Sequence, residues 1–265
     1  MARMKSVEPE IIHYPDSDGQ PLADNSVQRR HIVAVHGNLE DIYTDEDEVC
    51  IQIDMLWYPV KGHPEICVAP DVLVAFGRPR GDRGSYKQWE EGDHPPDVVF
   101  EVLSPNNTKR EMEAKLLFYQ THKAKEYYLI DPYTPTVSGW LRKRGKLQPV
   151  PRMDGFVSPL LKIRFDLSTG DIVIYRPDGT IFLTFEEMAR QKRIACERAD
   201  DAEAKAERAQ EEAERAQEEA ERAQEEAERA QEEAERERAE AASAKALAAR
   251  LAAKLRALGV DPEAA

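Results

Sequence analysis

Two carboxylates, thirty positions apart, lie on or beside predicted buried strands. Asp71 precedes the run Val-Leu-Val-Ala-Phe, and Glu101 lies within Val-Val-Phe-Glu-Val-Leu. A carboxylate in such surroundings is costly unless it is paired or binds a cation. Neighbouring strands lie about 4.8 Å apart, so side chains from two strands can meet at one ion. Carboxylate oxygens suit Mg²⁺, so the pattern predicts a site for Mg²⁺ and a phosphodiester.

A lysine on the following helix is the third candidate catalytic residue. A metal ion polarises a phosphate and lowers the pKa of bound water, and a nearby ammonium can orient that water. Lys115 lies in a helix predicted directly after the Glu101 strand. Structural alternatives exist, because Lys115 could pair with Glu111 on an exposed face and Asp71 could cap the turn after Pro70.

Two further carboxylates are candidates for supporting roles. Asp97 and Glu101 are four residues apart in one strand, a distance of about 13 Å, so they cannot share one metal ion. Asp97 is therefore predicted mainly as a strand-start residue, with a supporting role at the site as the alternative. Glu40 would approach the site if the first helix packs on the sheet.

Basic residues are candidates for contacts with phosphate groups. A Gly-rich and Arg-rich loop between the second and third strands has the length of a functional loop. Two more cations lie at the start of the second helix. The alternative for all of them is a solvated surface without a ligand. The candidate nucleic-acid contacts are Arg78, Arg80, Arg83, Lys87, Lys109 and Arg110.

The hydrophobic pattern predicts an α/β fold, a mixed sheet flanked by helices. One helix is expected in 25–40, with Asn25 or Ser26 as its N-cap, and a second over 109–123. The strands are predicted at 49–58, 68–76, 97–103 and 126–130, followed by two hairpins that pair 136–141 with 146–150 and 172–175 with 181–184.

Composition divides the chain into three parts. The polar residues 1–24, interrupted by Pro and Gly, are predicted to form a loosely ordered arm. Residues 25–185 contain nearly all the aromatic residues and are predicted to form the globular domain. Residues 186–265 consist mostly of Ala, Glu and Arg.

The C-terminal part contains a perfect repeat. The heptad Ala-Glu-Arg-Ala-Gln-Glu-Glu occurs four times without change over 206–233. It predicts one long helix over about 187–257, as either a coiled coil or a solitary charged helix, because an Ala seam buries little area. A stripe of leucines near its end is the best candidate for a real contact, either in a coiled coil or by folding back onto the globular domain. The stripe consists of Leu247, Leu251, Leu255 and Leu258.

Bulk composition narrows the class of protein. With a net charge of −14, the protein lacks the overall positive field of a tight non-specific nucleic-acid binder. A local basic patch together with metal ions could still hold a nucleic-acid substrate. Three widely spaced cysteines give neither a disulfide framework nor a zinc spacing. The sequence shows no apolar run that approaches about 18 residues and no N-terminal apolar segment, so a soluble cytoplasmic protein without a membrane partner is expected.

Four segments resemble a known family. They are PDVLVAF with Asp71, GDRGSYKQWEEG, VVFEVLSP with Glu101, and EMEAKLLFYQTHKAKEYYLIDP with Lys115. In this order they resemble the Uma-two family of restriction-endonuclease-like proteins. The resemblance covers about 25–185 and implies the fold of the PD-(D/E)XK phosphodiesterases.

The resemblance also implies roles for individual residues. Asp71 and Glu101 would ligate Mg²⁺ or Mn²⁺, and Lys115 would replace the lysine of the E-x-K element. This chain departs from that element, because its third position is Leu103, which cannot activate water.

Two functional hypotheses follow. The first is a metal-dependent endonuclease that cuts DNA, with a possible homodimer through the C-terminal helix that would place two sites for a double-strand cut. The second is a catalytically inactive nuclease-fold module for nucleic-acid binding or scaffolding through that helix. Leu103 and the acidic composition favour the second hypothesis.

Overall fold

The computed structural model describes residues 12–257. Its contacts separate a sheet domain, which ends at Gln191, from a helical unit that begins at Lys192. The helices are α1 (Ser26–Ile42), α2 (Lys109–Thr121) and α3 (Phe185–Ala257). The strands are β1 (Val49–Ile53), β2 (Trp57–Tyr58), β3 (Val72–Phe76), β4 (Tyr86–Lys87), β5 (Val98–Val102), β6 (Glu126–Asp131), β7 (Thr136–Lys143), β8 (Lys146–Pro149), β9 (Arg164–Asp166) and β10 (Val173–Tyr175).

The main sheet has six strands in the order β1-β3-β5-β6-β7-β8. Within this sheet, only β5 and β6 run parallel, and α2 is the crossover between them. All other neighbouring strands of the sheet are antiparallel. This arrangement confirms the predicted α/β class with a mixed sheet flanked by helices. It brings β3 and β5, the two strands next to the candidate carboxylates, side by side in the centre.

The two faces of the sheet pack against different helices. Even-numbered residues of β3 and β5, such as Val72 and Phe100, share a core with Ile32 of α1. Odd-numbered residues, such as Val99, share a second core with Tyr119 of α2. Side chains alternate between faces along a strand, so Glu101 lies on the α2 face.

The first predicted strand is interrupted. The prediction of one strand over 49–58 is wrong, because β1 ends at Ile53 and Asp54 adopts a left-handed conformation with φ of +50°. The chain resumes as β2, which leaves the main sheet and pairs in parallel with β4. The sequence analysis did not predict β4.

Residues 12–24, predicted to belong to a loosely ordered arm, contact the sheet domain. The Tyr14 ring packs edge-on against Tyr58 at 5.2 Å, and the Tyr58 hydroxyl donates to the Pro15 carbonyl at 2.8 Å. Ser104 donates to Asp24 just beyond β5. This segment therefore passes over β2 and reaches the Glu101 end of β5.

The first strand of the last predicted hairpin pairs mainly with a different strand. The turn at 176–180 forms, but the predicted pairing of 172–175 with 181–184 is reduced to one bridge between Tyr175 and Ile181. The strand β10 pairs with β9 instead. Phe165 of β9 is fully buried in the α1 core, and this burial favours the β9 pairing.

The predicted long helix is confirmed as α3, which has 73 residues. Its repeats carry i,i+4 ion pairs such as Arg229 with Glu225 at 3.5 Å. Leu247 and Leu251 are exposed, whereas the side chain of Leu255 and all of Leu258 lie outside the described part of the chain. Within residues 12–257, no helix is both long and apolar enough to cross a membrane.

A buried asparagine joins α1 to the end of the sheet domain. Asn38 is fully buried, and its amide group donates to the Ala34 and Leu183 carbonyls at 2.7 and 2.8 Å. Its carbonyl accepts from Leu183 N–H at 3.0 Å and from Arg176 at 2.8 Å. One side chain therefore satisfies buried polar groups of two segments.

We expect Asn38→Ala to lower the free energy of unfolding by about 2–4 kcal/mol, because buried donors and acceptors would lose their partners. Urea unfolding followed by tryptophan fluorescence measures this, since all three tryptophans lie before residue 191. The exposed Asn106→Ala is the matched control. Equal stability of the two variants would contradict the prediction.

Candidate active site

The register of the central strands places Asp71 opposite Glu101. Val72 pairs with Phe100 in the antiparallel β3–β5 ladder, so one further position brings Asp71 and Glu101 together. Directly opposed residues lie on the same face with Cβ atoms about 4.5–5.5 Å apart. Both side chains are buried. Two carboxylates from neighbouring strands therefore meet at one end of the sheet.

Asp71 is held by the backbone of β5. Its Oδ2 accepts from Val102 N–H at 2.6 Å, which continues the ladder through a side chain. Burial raises the pKa of Asp71 well above its usual value, and the charge of Glu101 raises it further. Lys115 and the Val102 N–H oppose this shift.

Glu101 is held by two residues of α2. Lys115 Nζ donates to Glu101 Oε2 at 2.7 Å, and the Tyr119 hydroxyl donates to Oε1. Lys115 and Tyr119 are four residues apart, so they lie on one face of the helix. A capping box between Thr108 and Glu111 fixes the start of α2. Glu111 therefore caps the helix and is not the partner of Lys115.

Lys115 is positively charged in this setting. Burial by itself lowers its pKa, but the charges of Glu101, Asp71 and Asp54 and the hydrogen bond to Glu101 together raise it above the usual value. An ammonium group with a raised pKa keeps its proton at neutral pH. It is therefore a cation at the site and cannot accept a proton as a base would.

Asp54 is a third carboxylate that the sequence analysis missed. Ile53 pairs with Val72, so Asp54 lies opposite Asp71, and its N–H donates to the Asp71 carbonyl at 3.2 Å. Burial, then the charges of Asp18 and Glu101, raise the pKa of Asp54. The available signal was an acidic residue inside the apolar run Ile-Asp-Met-Leu-Trp.

Asp97 and Glu40 lie at the other end of β3. Asp97 Oδ2 accepts from Phe76 N–H at 2.8 Å and contacts His94 at 2.9 Å, and Lys125 Nζ lies 2.6 Å from its Oδ1. This end of β3 is about 16 Å from Asp71 at strand spacing. Asp97 thus has the structural role predicted as its main one.

Glu40 forms an ion pair with Arg80, on the loop that follows β3. The supporting roles proposed for Asp97 and Glu40 at the candidate site are therefore corrected, because both carboxylates are bound to groups at the far end of β3.

The arginines of the loop after β3 bind protein groups. Arg78 donates to the Glu91 carbonyl at 2.7 Å, and Arg83 forms an ion pair with the Glu91 carboxylate at 2.7 Å. Arg80 is bound to Glu40. The bonds to Glu91 fold the loop upon itself, and the ion pair of Arg80 joins it to α1, so the three arginines have structural partners in the described structure.

The remaining basic candidates lie outside this set of arginine contacts. Lys87 Nζ lies 3.8 Å from Glu90 and 6.0 Å from the centre of the Tyr14 ring. Lys109 and Arg110 are exposed in the first turn of α2, the helix that carries Lys115. Of the predicted nucleic-acid contacts, these two lie on an element that reaches the carboxylates.

The donor set suits a hard cation. Among residues 12–257, no group of three or more His, Cys, Asp or Glu side chains is arranged to hold a metal ion. Two opposed carboxylates are present, and Mg²⁺ commonly uses one or two protein carboxylates together with water and phosphate oxygens. The chemistry of the site therefore fits Mg²⁺ or Mn²⁺ that shares its coordination with a substrate.

The fold and the site define an α/β protein with a mixed six-stranded sheet and two opposed carboxylates buried at one end of its central strands. The family model Uma2, described as "Putative restriction endonuclease", matches residues 3–180. The chain belongs to the Uma2 family. The match confirms the family resemblance and supports nuclease function in general.

A solved structure is similar at a lower level. It is described as the crystal structure of "a putative nuclease belonging to DUF820 from Anabaena variabilis ATCC 29413". The identity is 14%, the overlap covers 58% of this chain and 79% of that chain, and the TM-score is 0.39. A TM-score of this size is too low to argue from. No curated protein matches the chain.

We expect Asp71→Asn to stabilise the metal-free protein at pH 8. The folded-state pKa of Asp71 is raised, so wild-type stability falls as pH rises above the unfolded-state pKa near about 3.9, whereas Asn does not titrate. The gain should shrink towards pH 4. Urea midpoints in EDTA at both pH values measure it, with exposed Asp45→Asn as control. A destabilised variant at pH 8 would contradict the prediction.

Proposed function

We propose that this protein is a metal-dependent endonuclease that hydrolyses phosphodiester bonds of DNA. The observation that supports this most is the ion pair between Lys115 and Glu101 at 2.7 Å, directly opposite Asp71 in the strand register. A structural ion pair alone would not require a second buried carboxylate beside it. Asp71 adds negative charge that the single ammonium does not balance.

Asp71 and Glu101 are the proposed ligands of Mg²⁺ or Mn²⁺. When bound, such an ion polarises the phosphate and supplies a water of lowered pKa. The two carboxylates bind and orient the ion from adjacent strands. Burial of both groups limits the competing water, which strengthens their attraction for a cation.

Lys115 is the proposed third catalytic residue. The E-x-K element has Leu103 at its third position, and α2 brings a lysine to Glu101 from the helix side. Because the ammonium keeps its proton, its role is to stabilise negative charge on the phosphate and to orient the attacking water by a hydrogen bond. Its side chain is 26% exposed, so it borders the solvent from which a substrate arrives.

Lys109 and Arg110 are the proposed phosphate contacts. They lie one to two turns before Lys115 on α2, and both are exposed. Contacts of this kind position a nucleic acid without reading its sequence.

We expect Lys115→Met to reduce DNA cleavage by about 10²–10³-fold, because a preorganised cation would be lost. Nicking of supercoiled plasmid and cleavage of single-stranded DNA, with Mg²⁺ and then Mn²⁺, measure this. Lys125→Met is the matched control, since Lys125 also pairs with a buried carboxylate, Asp97, at 2.6 Å. Glu101→Ala should also abolish metal-dependent cleavage.

The same assay distinguishes the rival hypothesis. A folded wild-type protein that cleaves neither substrate with either metal would favour an inactive nuclease-fold module. DNA binding without cleavage, unaffected by Lys115→Met, would give the same conclusion.

We further propose that the protein forms a homodimer through α3. The exposed Leu247 and Leu251 are four residues apart and lie on one face of the helix, where a second copy would cover them. The Ala repeats add a long but shallow seam. A dimer would bring two nuclease sites to one DNA molecule.

Replacement of both Leu247 and Leu251 by Glu should convert the dimer to a monomer, because four charges would meet at the interface. Sedimentation equilibrium of the full chain measures this, and the matched control replaces Glu218 and Glu225 by Gln, two exposed repeat positions. A wild-type monomer, or a dimer that survives the double replacement, would exclude this interface.

A further inference from the structure

Both oxygens of the Glu101 carboxylate have partners on α2, but the two partners differ in burial. Lys115 is a flexible side chain that is partly exposed, and it donates to Oε2. Tyr119 is fully buried, and its hydroxyl donates to Oε1. One oxygen is therefore bound by a partly exposed side chain with four rotatable carbon–carbon bonds, and the other by a fully buried ring.

Aromatic rings hold Tyr119 in place. The Trp57 ring lies parallel to the Tyr119 ring, with centres 6.3 Å apart and an angle of 1° between planes. Tyr127 lies at 5.0 Å, and Phe118 lies edge-on at 6.0 Å. Close packing on these sides confines the ring to one orientation. The hydroxyl position is thereby fixed by β2, β6 and α2 together.

We infer that Tyr119 is a positioning residue that fixes Glu101 for metal binding, with Oε2 as the oxygen exchanged between Lys115 and the cation. This inference rests on the proposed function. Tyr119 does not touch the metal or the substrate. It acts by holding Oε1, so that Glu101 keeps its orientation when Lys115 moves to the substrate.

The alternative is a purely structural hydroxyl that satisfies a buried carboxylate. Tyr127 provides the comparison within the same cluster. Its ring also packs in the α2 core, but its buried hydroxyl has no hydrogen-bond partner among the described residues. Removal of each hydroxyl in turn separates an effect on Glu101 from a general effect on packing.

The test compares Tyr119→Phe with Tyr127→Phe in the full chain. Mn²⁺ affinity is measured by electron paramagnetic resonance of the free ion and by isothermal titration calorimetry. We expect Tyr119→Phe to weaken Mn²⁺ binding by about tenfold, because removal of such outer partners typically costs 10–100-fold. Tyr127→Phe should bind as wild type. Lys115→Met should bind at least as tightly, since ammonium and metal compete for Oε2.

Stability is measured beside affinity. The Mn²⁺-induced rise in unfolding temperature reports binding even for a destabilised variant. Wild-type affinity in Tyr119→Phe, or equal loss in both Phe variants, would overturn the inference and leave the proposed function intact. A wild-type protein that neither binds Mn²⁺ nor cleaves DNA would overturn both. Weaker binding by Lys115→Met would overturn the exchange at Oε2.

Discussion

The structure depends on keeping two like-charged carboxylates buried side by side. Asp71 and Glu101 lie opposite each other on the central strands, and Lys115 is the cation that contacts Glu101. Removal of such groups from water costs several kcal/mol for each ion, so they require compensation. One ammonium leaves the group short of positive charge. The raised pKa of Asp71, caused by its burial and by the charge of Glu101, is a consequence of this imbalance.

The topology supplies this arrangement with few elements. The antiparallel β3–β5 ladder brings the carboxylates together, and the parallel β5–α2–β6 crossover returns the chain over the same face. Parallel strands require such a crossover, so α2 must lie close to the strand that it follows. Because Lys115 and Tyr119 share one face of α2, a single helix provides both partners of Glu101.

Part of this could be predicted from the sequence. The alternation of apolar residues predicts the central strands, and the capping residues predict a helix directly after Glu101. This order of elements places Asp71, Glu101 and Lys115 close together. Asp54 was missed because Ile-Asp-Met-Leu-Trp fits one continuous strand, whereas in the structure the strand breaks at Asp54 and the chain continues as β2, which pairs with β4. The partner of Arg80 was missed because Glu40 is distant in sequence. The partner of β10 is close in sequence, but β9 is a strand of three residues that was not predicted.

The perfect heptads of α3 have a geometrical consequence. Seven residues advance a straight helix by about 10.5 Å and turn it by about 20° less than two full turns. The alanine stripe of the four copies over 206–233 therefore winds around an uncoiled helix by roughly 80°. Every copy repeats the same Glu–Arg spacing, so gain or loss of one copy preserves all local pairs while it shifts and rotates everything that follows. The repeat number thus sets both the reach of the helix and the direction in which its leucines point.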